Sequence, residues 1–133
     1  MSYSHLKLKI LEGKFNYALF ASKAELLSIA NELNVNKPAA FFFAAEEASA
    51  ILPEDVVIKA KKIESDWACI RIVGDMPFGT VQGLIATIST QLKNHGLGIC
   101  VVSTFLTDWF FIKAGNLEKA LGALKSSGWQ FDE

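Results

Sequence analysis

Trp67 to Trp129 reads WACIRIVGDMPFGTVQGLIATISTQLKNHGLGICVVSTFLTDWFFIKAGNLEKALGALKSSGW, and its hydrophobic period changes repeatedly along the way. Trp67 to Val73 is a short apolar run broken by one charge, Arg71, and predicts a strand. Val81, Leu84, Ile85, Ile88 and Leu92 then recur at helical spacing and place one apolar stripe on a helix. Gly96 and Gly98 end that helix, and Ile99 to Thr104 predicts the next strand. A tight connection leads into Asp108-Trp109-Phe110-Phe111-Ile112, a third strand. Asn116 is placed to cap a second helix carrying Leu117, Ala120, Leu121 and Leu124, which Gly128 stops. Gln130-Phe131 can form a last strand. The order is β-α-β-β-α-β, the ferredoxin-like arrangement, which hosts many unrelated functions.

The connections narrow the choice. Gly74-Asp75-Met76-Pro77-Phe78-Gly79 joins the first strand to the first helix, and Ser103 to Asp108 joins the two middle strands. In these residues the chain resembles the ACT domain, a small regulatory unit that binds amino acids. The likeness extends to the paired ACT-like units of the CASTOR-type arginine sensors and their bacterial relatives. Those carry a G-P-L-D-F-like loop, a glycine early in the helix, a G-I strand start and an S-T-x-x-T-D corner. The counterparts here are Gly74 to Phe78, Gly83, Gly98-Ile99 and Ser103 to Asp108, with Met76-Pro77 where the family often has Leu-Asp.

The resemblance implies an α+β fold of two tandem ferredoxin-like units, with antiparallel sheets covered by helices on one face. Residues 1–62 would be a shortened unit and 63–133 a full one. It implies a non-catalytic module that holds a small amino acid between its two units, forms a homodimer or higher oligomer and needs no cofactor. It also implies ligand contacts at Ser49, Ala50, Asp75, Met76, Phe78, Gly79, Gly83, Thr104, Phe105 and Asp108. The alternative is an ACT-like interaction protein that oligomerises without a ligand.

The residues themselves carry part of that reading. A loop that follows a strand and precedes a helix meets the free amides of the helix N-terminus, which favour an anion such as an α-carboxylate. The bland alternative is a plain strand-to-helix turn, with Gly83 only easing helix packing. Asp108 opens an otherwise apolar strand, and a carboxylate there needs a cation or several donors. A ligand ammonium would serve, and so would turn amides near Thr107 or Trp109.

Composition excludes other classes. Half of the 133 residues are apolar, enough for a core, and the formal net charge is −1 with no basic stripe, which argues against a nucleic-acid partner. Cys69 and Cys100 fall inside predicted strands and read as buried thiols, with no second ligand at zinc spacing. No Ser-His-Asp or Cys-His grouping is visible, and the Gly74–Gly79 loop lacks the arginine an acylphosphatase would want. His95 sits at a helix C-terminus, a structural position. Trp67, Trp109 and Trp129 read as core or interface. No apolar run is long enough to span a membrane, and a cytoplasmic protein is the default.

Upstream, Leu6, Leu8 and Ile10 alternate with lysines as a strand, and Phe15 to Phe20 can pair back on it as a hairpin. Ser22-Lys23-Ala24-Glu25 has the form of a capping box before a helix carrying Leu26, Ala30 and Leu33. Ala39 to Ala45 predicts a central strand, Ala48 to Leu52 a shorter one, and Val56 to Ile58 a further short one. Charged Lys59 to Asp66 reads as the linker.

Overall fold

The computed structural model describes residues 3–34, 36–75 and 83–132. Its contacts divide the chain into two compact units. The first is Gly13–Trp67, and the second combines Met1–Glu12 with Ala68–Glu133. The N-terminal strand therefore groups with the second unit and not with the residues that follow it.

In the first unit, β2 (Phe15–Leu19) leads to helix α1 (Lys23–Glu32), then β3 (Ala40–Phe43), β4 (Ala48–Pro53) and the start of β5 (Lys62–Val73). The strand order is β3-β4-β2-β5, with β3–β4, β2–β4 and β2–β5 all antiparallel. The Ser22 hydroxyl accepts from the Glu25 amide at 3.3 Å and starts α1, which is one half of the capping box; the return bond from the Ser22 amide to the Glu25 carboxylate is absent among the described residues. Leu26 drives α1 onto Ala18, Phe20, Ala48, Ala50 and Leu52, so the helix covers one face of the sheet.

Three expectations change here. The Phe-rich run forms the edge strand β3, and the central place goes to β4, whose Leu52 is fully buried. Val56 to Ile58 is not a strand. Val56 and Ile58 plug the core, where a complete βαββαβ unit would have its second helix, while Val57 faces solvent. The Lys59–Asp66 linker does not exist as such, because Lys62 onward is already strand and pairs with β2. Its charged side chains are exposed, but the backbone ladder is indifferent to that. One extra residue on β5, with Asp66 at φ 67°, makes a bulge between the Phe15↔Trp67 and Tyr17↔Glu64 pairs.

In the second unit, Ala68–Val73 of β5 is followed by α2 (Leu84–Lys93), β6 (Cys100–Ser103), β7 (Asp108–Lys113), a 3-10 turn at Ala114–Asn116 and α3 (Leu117–Ser126). The order is β5-β7-β6. The other edge of β5 is taken by β1 (Lys7–Ile10), antiparallel, with Leu8 opposite Ile72. The expected β1–β2 hairpin is replaced by this pairing. Gln130-Phe131 makes one parallel bridge to Leu8 and lies outside β1. Leu84, Ile88 and Leu92 of α2 and Ala120, Ala123 and Leu124 of α3 pack on Leu8, Ile70, Ile72, Phe110 and Ile112. Both helices therefore lie on one face of this sheet. Asn116 precedes α3 without a side-chain capping bond. The His95 ring nitrogen meets the Gln91 carbonyl at 3.0 Å at the end of α2. Cys69 is fully buried, which pushes its thiol up to about 12 despite the opposing pull of Arg71, whereas Cys100 is half-buried.

Candidate functional site in the second unit

The β6–β7 corner is held by its own polar groups. The Thr104 amide and hydroxyl both donate to the Thr107 carbonyl, at 2.9 and 3.0 Å. The Trp109 indole donates back to the Thr104 hydroxyl at 2.9 Å. The Thr107 hydroxyl, buried, donates to the Ile72 carbonyl at 2.8 Å. That last bond fixes the corner beside the end of β5, where the chain departs toward α2. The turn tip carries Phe105 and Leu106, each 74% exposed. A turn so braced displays two apolar side chains with little freedom to retract.

Asp108 follows the corner. It is 7% exposed, and Thr107 and Asp108 are the buried polar residues among those described. Alternation along β7 puts it on the same face as Phe110 and Ile112, the helix-covered face. Its backbone carbonyl takes a long bond from Thr107, but its carboxylate has no hydrogen bond or ion pair among the described residues. The residue is buried as a whole, but its carboxylate oxygens are not sealed from solvent, so water meets part of the cost of leaving them unpaired. The turn-amide role open in the sequence is not realised among those residues.

Gly83 stands at the N-cap of α2 with φ 73°, a left-handed conformation that glycine tolerates. It offers no side-chain cap, and the first turn of α2 has no acidic residue. The amides at this end have no side-chain acceptor within the helix start. Gly74 has φ 132°, and a Cβ there would lie 2.8 Å from Leu6 Cδ2 and 2.9 Å from the His5 carbonyl. Its glycine is thus required by the N-terminal segment. Asp75 is exposed at the end of β5. Met76, Phe78 and Gly79 lie outside the described residues.

In the first unit, the Ser49 hydroxyl donates to the Glu47 carboxylate at 2.8 Å. Ala50 is buried in that unit's own core, so its side chain faces α1. The structure brings Thr104, Phe105 and Asp108 together by sequence adjacency and ties them to the end of β5. Thr107 and Trp109 were not among the predicted contacts, although the S-T-x-x-T-D pattern already contained the first. A concavity of ≈ 300 Å³ lined by Tyr3, Thr87, Gln91 and Trp129, among others, includes none of the predicted residues.

Residues 62–126 match the family model of the ACT domain. Comparison with curated proteins finds no match. Among solved structures, a protein of Agobacterium tumefaciens is 24% identical, covering 96% of this chain and 92% of its own, with a TM-score of 0.78. A Vibrio cholerae protein of unknown function, described as a possible transport protein, is 18% identical over 92% and 90%, with a TM-score of 0.66. The regulatory subunit of aspartate kinase from Thermus thermophilus, in a ligand-free form, is 12% identical over 91% and 96%, with a TM-score of 0.64. At these identities the likeness is one of fold, and the chain has an ACT-like α+β fold. No described helix is long and apolar enough to cross a membrane.

Proposed function

We propose that this protein is a non-catalytic regulatory module that binds a free amino acid at the Thr104–Asp108 corner and the start of α2. The observation that carries the reading is Asp108, a 7% exposed residue whose carboxylate has no counter-charge among the described residues. A ligand ammonium would supply it. The start of α2, with no capping side chain and no acid in its first turn, suits the ligand carboxylate. The ACT match over residues 62–126 and the fold shared with a kinase regulatory subunit support the same reading. Met76, Phe78 and Phe105 would meet the ligand side chain, and the backbone amides near Phe78 and Gly79 its carboxylate. Ser49 and Ala50 of the first unit are proposed as further contacts, Ala50 through its backbone.

The test is a thermal-shift screen of the twenty amino acids. A ligand at a hundredfold excess over its dissociation constant stabilises the fold by about 2.7 kcal/mol. For a chain of this size that raises the melting point by roughly 5 °C. At least one amino acid should give such a shift, and Asp108→Ala should remove it. No shift with any amino acid, or a shift unchanged in Asp108→Ala, rejects the site.

A second reading, an oligomerisation unit, is favoured by β3. This edge strand has no charge or proline, and Phe42 and Phe43 are 58% and 41% exposed. Light scattering should then report a dimer or larger species, and Phe42→Lys a monomer. A wild-type monomer at micromolar concentration rejects this reading.

A further inference from the structure

The helix-free face of the second unit's sheet carries a cluster of three cations with no ion pair among the described residues, and the geometry points to it as a binding site for an organic phosphate. Leu8, Ile70, Ile72, Phe110 and Ile112 face the helices, so Lys7, Lys9, Arg71 and Trp109 take the opposite face. Lys9 stands directly across the β1–β5 ladder from Arg71, and Lys7 stands across from Val73. Opposed Cα atoms in such a ladder are about 5 Å apart, and two residues along a strand cover about 7 Å. Three positive charges thus share one small patch.

Like charges directly opposite destabilise a sheet unless something neutralises them. The described strands of this unit put no acid on that face, since Asp108 lies on the helix side. The nearby described carboxylates are Asp132, beside Lys9 through the Leu8↔Phe131 bridge, and Asp75, two residues past Val73, and neither forms an ion pair with the three cations. Lys7, Lys9 and Arg71 make no ion pair among the described residues, and both lysines are exposed. What repulsion Asp132 leaves is carried by the free protein and removed by an anion.

Arg71 is already positioned for one. Its guanidinium lies 5.0 Å from the Trp109 ring centroid, and Trp109 is held by Thr104. The Arg71 Nε donates to the Ile72 carbonyl at 3.4 Å, which leaves the terminal N–H groups of a guanidinium braced on an indole for phosphoryl oxygens. A carboxylate brings one negative charge to a cluster of three cations, whereas a phosphate monoester brings nearly two. Half-buried Val73, Val102 and Trp109 border the cations, with Val102 opposite Trp109 on β6 and β7. That apolar border fits a phosphate with an organic body, the nucleotide class. The site is separate from Asp108, so its test and that of the amino-acid site fail independently.

Isothermal titration calorimetry of the full chain at low salt, with AMP, ATP, adenosine and inorganic pyrophosphate, decides it. AMP and ATP should saturate the protein, and adenosine should not. Pyrophosphate should bind more weakly than ATP. Lys9→Gln should weaken ATP by roughly tenfold or more, with Lys7→Gln as a second variant and Lys119→Gln, exposed on α3, unchanged. The proposal is overturned by the absence of saturable binding up to about 10 mM. It is equally overturned by ATP affinity that Lys9→Gln and Lys7→Gln leave intact, or by pyrophosphate binding as tightly as ATP.

Discussion

The β3–β4 turn of the first unit and the β6–β7 corner of the second are built on the same backbone bond. Ala44 donates to the Glu47 carbonyl at 2.8 Å, and Thr104 donates to the Thr107 carbonyl at 2.9 Å. Aligned on those bonds, Ala48 answers to Asp108. Both are buried, at 5% and 7% exposure, but one is a methyl group packed in a core and the other a carboxylate without a partner among the described residues. The helix starts differ in the same sense. Ser22 caps α1, and Glu25 adds an acid to its first turn, while Gly83 leaves α2 without either. Both corners are closed by their own backbone, but the first unit also caps its helix and fills the position after the turn with a methyl group, whereas the second leaves its helix start uncapped and puts a carboxylate there. Since the frame forms without Asp108 chemistry in one case, that chemistry in the other is better assigned to a ligand than to folding.

If the two units share a framework, each should depend on its own helix-facing core to a similar degree. Leu26→Ala in the first and Ile88→Ala in the second should each cost about 2–5 kcal/mol in urea denaturation, since both residues are essentially fully buried. A loss below about 1 kcal/mol at either site would break the equivalence. The strand-to-helix connections should differ next. Gly74→Ala would force a residue with φ 132° against the His5 backbone and should cost about 2 kcal/mol or more. The matching stretch Phe20-Ala21 contains no glycine, so a neutral Gly74→Ala would remove this contrast. A smaller effect is expected at the caps. Ser22→Ala should cost about 1 kcal/mol, read by thermal or urea unfolding, because the Glu25 amide loses its acceptor. No measurable loss would mean the first unit's helix start is no more self-satisfied than the second's.

Much of the second unit was legible because its signals are local. Leu84, Ile88 and Leu92 mark a helical stripe by spacing alone, and all three are buried. The Ser22–Glu25 box and the corner pattern from Ser103 to Asp108 are also local. What escaped was non-local. Lys62 to Asp66 reads as a linker because its side chains are polar, yet its backbone pairs with β2. Phe41 to Phe43 reads as a central strand from hydrophobicity, yet nothing local says that β4 alone flanks it. The placement of Lys7–Ile10 in the second unit depends on a pairing with residues some sixty positions away. For the site, the sequence could single out Asp108 from its apolar neighbours. Its isolation is a property of packing, and no spacing rule reports it.

Asp108 is assigned to a ligand and not to the corner it follows. Urea denaturation of Asp108→Asn without any added ligand tests it most directly, because the change removes the charge and keeps the shape. Stability within about 0.5 kcal/mol of the wild type is expected, since the carboxylate has no partner among the described residues to lose. A loss of more than about 1.5 kcal/mol would mean that the carboxylate anchors the turn, and the site would have to be given up.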